Sequence, residues 1–380
     1  MGTHDLAIVG AGPVGMALAL ALKDAGLDIV LLDARARGAA RHDPRVLALS
    51  HGSRLTLERL GIWAQLPATP IETIHISQQG GLGRTVLNAG EYGQPALGYV
   101  VGAGALAAAL DDALAAAGIP VRDHAAVCGL VAGADDVILR LADGSQLGAR
   151  LAACAEGQID SADDTPLVER DYQQHAVISL ATPATPHGSR AWERFTPQGP
   201  LAVLPCGHDC AIVHTAGPAA ADALMALDDA AYLARLQQHF GSRLRFAAVG
   251  PRATFPLRLR YRPDPVGQRT VWLGNAAQTL HPVAGQGYNL ALRDVWACAQ
   301  VLLRAGGDPG AAATLAAYAR QRRVDRSGTI RFTDGLVRLF SNAVAPLAHA
   351  RGAGLLALDL LPPARHFVAK RMMFGARAWP

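Results

Sequence analysis

Apolar positions at the start of the chain fall into short, unbroken blocks. An apolar run at 6–9 is followed by a glycine-rich stretch, an apolar segment from Val14 to about Ala25, and a second apolar run at 29–32 that ends at Asp33. Runs of four apolar residues are typical of buried strands, and the longer block has the length of a helix. The pattern therefore predicts a strand–helix–strand unit.

Further along, the apolar positions alternate with polar ones. Residues 71–78 alternate, Gly80-Gly81 permits a turn, and residues 85–87 return, which predicts an antiparallel excursion. A helix is predicted over 103–117, and strands over 126–131, 137–141 and 146–155. Residues 172–260 predict short strands and turns with one helix over 220–240. The aromatic residues there suit either an apolar pocket or an ordinary core.

The segment 271–295 returns to the first pattern. A short apolar strand is predicted over 271–273, a loop follows through His281-Pro282, and Gly285-Gln286-Gly287 precedes a helix that begins near Tyr288. From Phe332 onward, apolar and basic side chains are mixed, which predicts a helical region with a basic face.

Composition narrows the class of protein. The chain has 380 residues, 51% of them hydrophobic, and a net charge of +4. Residues 319–380 hold eleven Arg or Lys against three Asp, so the rest of the chain is slightly acidic. The tail could lie on an anionic membrane surface or simply cap the fold. No interleaved basic and aromatic pattern suggests nucleic-acid binding.

Cysteines and apolar runs indicate the compartment. The five cysteines are scattered, which suits a reducing compartment. Cys206 and Cys210 could be read as metal ligands, but a hairpin turn between two apolar strands fits their spacing better, and no metal site is predicted. The sequence goes directly into a strand, and no apolar run reaches the length of about 20 residues that a membrane span needs. We expect a cytoplasmic protein, with peripheral membrane contact left open.

The first glycine-rich stretch carries recognisable chemistry. Gly10, Gly12 and Gly15 lie between a predicted strand and helix, and Asp33 ends the next strand. In a dinucleotide fingerprint the first glycine makes the tight turn, the second admits the pyrophosphate, the third lets helix and strand pack, and the acid binds a ribose hydroxyl. Gly102-Ala-Gly104 imitates this pattern, with Asp123 downstream. Because residues 120–122 are a poor candidate for a buried parallel strand, we interpret it as a helix start.

The second glycine-rich stretch suits a flat ligand. Glycines at 285 and 287 let the backbone approach a ring, and a helix N-terminus offers N–H donors to an anion such as a reduced flavin. The alternative is a loop and a helix cap. His281 is a candidate base or a structural histidine. Arg45, after a proline, could reach a phosphate or the flavin, or remain solvated.

With both ends in view, the chain resembles the class A flavoprotein aromatic hydroxylases of the p-hydroxybenzoate hydroxylase type, in particular the ubiquinone-biosynthesis hydroxylases acting on prenylated methoxyphenols. The motifs that carry the resemblance are Gly10–Gly15, Arg45-Val-Leu-Ala-Leu, Gly61-Ile-Trp, Phe195-Thr with Gly199-Pro-Leu-Ala-Val-Leu-Pro, Phe255-Pro-Leu, and Gly274-Asn-Ala-Ala-Gln-Thr-Leu-His-Pro through Gly285-Gln-Gly-Tyr-Asn-Leu.

The resemblance implies an α/β fold: a discontinuous Rossmann-like FAD-binding domain, an inserted antiparallel β-sheet substrate domain and a C-terminal helical region. The implied division is 1–70, 101–165 and 261–330 for FAD binding, 71–100 and 166–260 for substrate, and 331–380 for the tail.

The resemblance also implies roles for individual residues. The implied FAD contacts are Gly10, Gly12, Pro13, Val14, Gly15, Asp33, Ala34, Arg45, Asn275, Ala276, Gly285, Gly287, Tyr288 and Asn289. The implied flavin-ring environment is Pro282, Gly285, Gln286 and Gly287, with His281 nearby.

The implied reaction is ring hydroxylation of a prenylated phenol in ubiquinone biosynthesis, with FAD, NADPH or NADH as a transient electron donor, and O₂. A complex with other proteins of that pathway is a further implied partner. The chain departs from the family pattern at Glu156-Gly157, where Asp-Gly is usual, at Asp164 after Ser161, where a basic residue is common, and at Gly102, where relatives have a larger polar residue. Two alternatives stay open: an FAD oxidoreductase acting on another phenol without oxygen insertion, and a catalytically weak flavoprotein subunit.

Overall fold

The computed structural model describes residues 3–81, 83–157, 165–340 and 345–375. The strands are β1 (Thr3–Val9), β2 (Ile29–Leu32), β3 (Val46–Ser50), β4 (Thr69–Ile71), β5 (Thr73–Gln78), β6 (Arg84–Asn88), β7 (Gly98–Gly102), β8 (Val121–Arg122), β9 (Val127–Ala132), β10 (Val137–Leu141), β11 (Gln146–Cys154), β12 (Val168–Pro183), β13 (Arg190–Thr196), β14 (Gly199–Cys206), β15 (Asp209–Ala216), β16 (Phe246–Val249), β17 (Ala253–Tyr261), β18 (Val266–Gly267), β19 (Thr270–Trp272) and β20 (Gln278–Thr279). The helices are α1 (Pro13–Ala21), α2 (His51–Arg59), α3 (Ala103–Ala116), α4 (Pro218–Ala226), α5 (Asp229–Phe240), α6 (Gln286–Ala305), α7 (Ala312–Phe340), α8 (Ala345–Leu360) and α9 (Pro362–Phe374).

The first sheet is built on parallel strands. Its order is β18-β19-β11-β1-β2-β8, and β1 pairs in parallel with both β11 and β2. Every residue of β2 is buried because helices cover one face and the β9–β10 hairpin region the other. Parallel strands place all their carboxyl ends at one edge, where ligands bind in open α/β sheets.

The second sheet has nine strands, in the order β20-β17-β12-β15-β14-β13-β5-β6, with β16 beside β12. The prediction of an antiparallel sheet is right with one exception, since β13 pairs in parallel with β5. The chain reaches β13 only after a long passage through the first sheet, and such a crossover allows parallel pairing. A small sheet, β3-β7-β4, lies between the two large ones.

Three predicted elements need correction. The helix predicted over 14–25 ends at Ala21, where i→i−3 hydrogen bonds tighten the last turn before Gly26. The helix predicted over 220–240 is two helices, because the Asp228 side chain caps α5 by accepting a hydrogen bond from the Ala231 N–H at 2.7 Å. Val121–Arg122 does pair in parallel with β2, but as a two-residue strand at the sheet edge.

The chain passes between the sheets in the predicted discontinuous order. It enters the nine-stranded sheet at β5 and β6, returns to the first sheet through α3 to β11, and comes back for β12 to β17. The proposed boundary at 330/331 falls inside α7, which continues from Ala312 to Phe340. Within the described ranges, no helix is both long and apolar enough to cross a membrane.

Candidate active site

Three parallel strands end beside one another and place three glycine-bearing turns together. Gly10 follows β1 with φ +102°, and a Cβ there would lie 2.7 Å from the Ala155 carbonyl oxygen and the Glu156 Cα. The Leu273 N–H donates to the Cys154 carbonyl at 2.9 Å, which brings Gly274 alongside. Glu156-Gly157 therefore lies against the first glycine turn; Ser161 and Asp164 lie outside the described residues.

The three fingerprint glycines have separate tasks. A Cβ on Gly15 would lie 2.0 Å from the Gly10 carbonyl oxygen, so Gly15 is needed for packing. A Cβ on Gly12 would meet nothing within 4 Å. Gly12 is the N-cap of α1 and makes no side-chain cap, and the N–H groups of Val14 and Gly15 have no acceptor among the described residues. The helix start is open to an anion.

Hydrogen bonds fix the carboxylate of Asp33 at the end of β2. It is 7% exposed, accepts the Ala11 N–H at 2.9 Å, and accepts hydrogen bonds from the Arg35 N–H at 2.8 Å and the Arg35 Nε at 3.0 Å. Burial opposes its ionisation, but these hydrogen bonds outweigh burial and hold the pKa of Asp33 below its usual range. Ala34 beside it is exposed.

A groove opens beside Asp33. Its lining includes Ala11, Asp33, Arg35, Arg41 and Asp111. Sequence reasoning missed Arg35, Arg41 and Asp111. The signal for Arg35 was a basic residue two positions after the acid, whereas the pairing of Arg41 with Asp111, at 2.6 Å, joins residues 70 positions apart.

Arg45 is committed to an ion pair. Its guanidinium donates to both carboxylate oxygens of Asp43, at 2.9 Å from Nε to Oδ1 and 2.5 Å from NH2 to Oδ2. Its carbonyl oxygen accepts the Ala103 N–H at 2.8 Å, and the Asp43 carbonyl accepts the Gly104 N–H at 3.2 Å. The Gly102-Ala-Gly104 stretch is thus a helix start, as predicted, and its donors are already in use.

The segment 274–287 that leads into α6, called the flavin loop after its predicted ligand, packs against both α1 and β3. Gly274 has φ +57°, and a Cβ there would lie 2.9 Å from the Val14 side chain. Ala284 and Gly285 also have positive φ, and a Cβ on Gly285 would lie 3.0 Å from the Ala48 Cβ. A Cβ on Gly287 would meet nothing within 4 Å. The backbone is close-packed at one side of this loop and open at the other.

Asn289 holds this loop from within the protein. Its Nδ2 donates to the carbonyl oxygens of Ala48, at 2.8 Å, and Gly285, at 2.6 Å. Its Oδ1 accepts the Ser50 N–H at 2.8 Å and the Ser53 hydroxyl at 2.6 Å. Asn289 thus donates two hydrogen bonds and accepts two, which is the full capacity of an amide side chain. Asn289 therefore holds this loop in place through its side chain, and its predicted contact with FAD stays a prediction.

His281 is fully enclosed and uncharged. Its Nδ1 accepts the Val283 N–H at 3.0 Å, and its ring makes an edge contact with Tyr172 at 5.4 Å between centroids. Burial lowers the pKa of His281 to about 4. A neutral histidine whose Nδ1 accepts a hydrogen bond carries its proton on Nε2, so its geometry fits the structural role better than that of a base.

The remaining predicted residues lie around the same edge. Tyr288 points its hydroxyl at the Pro13 carbonyl, 3.4 Å away, and so joins the starts of α6 and α1. Asn275 is exposed and makes no hydrogen bond within the described residues, Ala276 is buried, and Pro282 is exposed. Gln286 is buried and its Nε2 donates to the Ala284 carbonyl at 3.2 Å.

A buried polar network supports the loop from behind. Arg322 donates to Asp294 at 2.6 Å, Gln278 donates to the same carboxylate at 2.7 Å, and Arg326 donates to Gln278 at 2.6 Å. It ties α6 and α7 to β20. Sequence reasoning did not find it, because its members are up to 48 positions apart.

These residues fit FAD. The open starts of α1 and α6 offer N–H donors to the pyrophosphate and to the negative charge of a reduced flavin, and Asp33 beside its groove suits the adenosine ribose. The Cys206–Cys210 stretch forms the predicted hairpin between β14 and β15. Among the described residues, no three His, Cys, Asp or Glu side chains gather as a metal site would require.

Comparison with known proteins agrees with this geometry. A model of the FAD binding domain family matches residues 3–333. The ubiquinone hydroxylase UbiL of Rhodospirillum rubrum is 34% identical over 392 residues, covering 99% of this chain and 91% of that protein. The 3-demethoxyubiquinol 3-hydroxylase of Escherichia coli (strain K12) is 31% identical over 382 residues, covering 93% and 94%.

A solved structure shares the fold. The crystal structure of p-nitrophenol 4-monooxygenase from Pseudomonas putida DLL-E4 superposes with a TM-score of 0.78 at 17% identity, covering 99% of this chain and all of that one. The predicted family, fold class and FAD cofactor are confirmed. The chain therefore belongs to the FAD binding domain family, as an FAD-dependent monooxygenase of the flavoprotein hydroxylase group that includes the ubiquinone hydroxylases.

Proposed function

We propose that this enzyme hydroxylates the aromatic ring of a prenylated phenol, a precursor of ubiquinone, with NAD(P)H as electron donor and O₂ as co-substrate. Two observations carry the proposal: the open starts of α1 and α6, and the apolar contact between the loop before α6 and the nine-stranded sheet. Phe195 of β13 packs with Val283 of the flavin loop and Phe340 of α7 in one buried cluster. An electron-rich, largely apolar ring fits such a surface, and the names of both curated relatives point to the same substrate class.

Each part of the site has a task in this proposal. Bound FAD supplies the oxygen-activating chemistry. The N–H groups of Val14 and Gly15 bind the pyrophosphate, and the start of α6 at Gly287 faces the flavin ring. The apolar cluster keeps water away from the reacting atoms, which protects them from side reactions.

The test uses the purified, FAD-loaded enzyme with a short-chain prenylated phenol, NADPH or NADH, and O₂. We expect substrate-dependent oxidation of the nicotinamide and a product heavier by one oxygen atom in mass spectrometry. Formation of hydrogen peroxide without hydroxylated product would favour an oxidase. Failure of NAD(P)H to reduce the flavin, with the phenol present, would favour a catalytically silent flavoprotein subunit.

Quinone profiling in the host would identify the ring carbon that is hydroxylated. Deleting the gene and extracting quinones during aerobic growth should reveal a prenylated phenol that lacks one hydroxyl group, with loss of ubiquinone. The structure of that intermediate identifies the position hydroxylated. Normal ubiquinone in a strain without a second such hydroxylase would overturn the substrate assignment.

We further propose that the C-terminal helices place the enzyme on an anionic membrane surface, where a polyprenyl substrate dissolves. Large apolar side chains are exposed on α8 and the residues after it: Leu356, Leu360, Leu361 and Phe367 are 46–68% exposed. Exposed Arg338 and Lys370 add positive charge on the neighbouring helices. Apolar residues beside basic ones are typical of helices that lie in a membrane interface.

Vesicle binding tests this surface. Replacing both Leu360 and Leu361 by Glu should abolish co-sedimentation with vesicles of mixed phosphatidylcholine and phosphatidylglycerol, whereas Leu303→Glu, an equally exposed leucine on α6, should leave it unchanged. Equal sedimentation of both variants and the native enzyme, or none of the native enzyme, would refute the proposal.

A further inference from the structure

Glu193 lies on β13, on the face of the nine-stranded sheet that contacts the flavin loop. On β13 it lies directly opposite Ala202 of β14 and beside Ile76 of β5. Side chains alternate along a strand, so Ala191 and Phe195 share its face. Phe195 packs with Val283.

The second neighbour, Ala191, connects Glu193 to the small sheet. Ala191 packs with Val100 of β7, and Val46 of β3 joins the same cluster. Glu193 lies between Ala191 and Phe195, and therefore between the small sheet that leads to Ala48 and the loop that carries Val283. Glu193 therefore lies on the part of the nine-stranded sheet nearest the start of α6, where the proposed function places the flavin ring.

The chemistry of Glu193 is unusual for that position. Its Oε1 atom is enclosed and has no hydrogen-bond partner among the described residues. Burial raises the pKa of Glu193 to about 7, and no charged group contributes to the shift. Asp33, Asp43 and Asp294, by contrast, all accept hydrogen bonds. An enclosed carboxylate oxygen without a partner destabilises a fold, and a hydrogen-bond donor on a bound ligand would complete it.

Other titratable groups on the elements around Glu193 are neutral or already make a hydrogen bond or ion pair. His281 is neutral, Tyr172 donates to Asp334 at 3.1 Å, and Arg351 of α8 donates to the Leu339 carbonyl at 2.8 Å. Arg45, which precedes β3, is paired with Asp43. Among the described residues of this face, Glu193 has a carboxylate oxygen that is enclosed and accepts no hydrogen bond.

We propose that Glu193 binds the phenolic hydroxyl of the substrate and takes its proton as the ring is hydroxylated; this rests on the proposed function. The phenol O–H bond breaks, a new O–H bond forms on the Glu193 carboxylate, and the electron pair stays on the phenolate oxygen, where it enriches the ring. A base is most effective when its pKa lies near the working pH. Glu193 is then a catalytic residue, and it releases the proton to solvent before the next turnover.

The test compares Glu193→Gln and Glu193→Asp with Glu169→Gln, which removes an exposed carboxylate on β12 paired with Arg258 and Arg260. In the native enzyme, kcat should fall below about pH 7, because a protonated Glu193 cannot accept the proton. E193Q should lose about 100-fold in kcat and lose that acid limb. E193D should recover part of the rate, and E169Q should match the native enzyme.

Binding and stability readouts separate this role from a structural one. The native enzyme should bind a phenol more tightly than its methyl ether, measured by the perturbation of flavin absorbance, and E193Q should not discriminate between them. FAD affinity and Tm should be unchanged in E193Q, because no hydrogen bond is lost. Native pH dependence and native discrimination in E193Q would overturn the proposal. If prenylated phenols are not hydroxylated but discrimination between phenol and methyl ether depends on Glu193, the substrate assignment fails, and Glu193 keeps only its role in binding a phenolic hydroxyl.

Discussion

Two helices of this protein begin after a strand at a Gly-x-Gly sequence, Gly10 to Gly12 and Gly102 to Gly104, and only the first helix start is open to a ligand. Gly12 is the N-cap of α1 and Gly102 is the N-cap of α3, and neither makes a side-chain cap. At α1 the N–H groups of the first turn have no acceptor among the described residues. At α3 the Ala103 and Gly104 N–H groups are bound by the carbonyl oxygens of Arg45 and Asp43.

Strand direction explains the difference. β1 lies between parallel neighbours, so the adjoining chains leave the sheet at the same edge and keep the space above α1 clear. β7 pairs antiparallel with β3, with Val46 opposite Gly102. The residues before Val46 therefore arrive directly over the start of α3 and occupy its donors. A glycine motif binds a ligand only where the sheet around it leaves the helix start uncovered.

The largest effect is expected from Gly15→Ala in α1. A Cβ there would lie 2.0 Å from the Gly10 carbonyl oxygen, and neither backbone can move without shifting β1 or α1. We expect a loss of about 3 kcal/mol or more in the free energy of unfolding, with loss of bound FAD. Urea denaturation followed by circular dichroism measures the first, and flavin content measures the second. A stable variant that retains flavin would show that the turn is more pliable than this contact implies.

A smaller effect, of a different kind, is expected from Gly104→Ala in α3. Its Cβ would lie 2.3 Å from the Arg41 carbonyl oxygen, so the chain over the helix start must move. Overpacking of this kind destabilises by about 1–3 kcal/mol, and the better helix propensity of alanine offsets part of it. The free energy of unfolding should fall while the Kd for FAD changes by less than threefold. If FAD affinity fell as well, the result would contradict the view that α3 has no ligand of its own.

Local patterns were enough to predict much of the fold and to single out the residues of one half of the candidate site. The apolar blocks around Gly10–Gly15 and the alternation in the middle of the chain predicted both large sheets, because strand and helix periodicities are local properties. Asp33 was found because it ends a strand at a known distance from the glycines. The helix break at Asp228 was missed, since an N-cap inside an apolar periodic segment is a weak signal.

The other half of the site depends on contacts between distant residues. Asn289 was predicted to contact FAD, and nothing in the sequence indicated that its side chain also accepts hydrogen bonds from Ser50 and Ser53, more than 230 positions away. The Arg326–Gln278–Asp294 network and the unpartnered carboxyl group of Glu193 are likewise products of tertiary packing. No periodicity in the sequence reports which polar side chains will meet, so these supporting hydrogen bonds could not be predicted.

The smallest free-energy change is expected from Gly12→Ala, and it separates binding from folding most cleanly. Gly12 has φ −82° and ψ 178°, which alanine adopts without strain, and a Cβ there meets nothing within 4 Å. The stability of the FAD-free protein should therefore be unchanged. The new methyl group stands where the pyrophosphate is predicted to approach, so the Kd for FAD should rise at least tenfold, about 1.4 kcal/mol.

Gly102→Ala is the matched control, because its Cβ would touch only the Ala105 Cβ at 3.9 Å. Equilibrium titration of both variants with FAD, monitored by flavin fluorescence, measures the difference. If both variants bind FAD equally well, the open start of α1 is not where the pyrophosphate lies; if both lose affinity, α3 also serves the cofactor and the contrast between parallel and antiparallel surroundings does not hold.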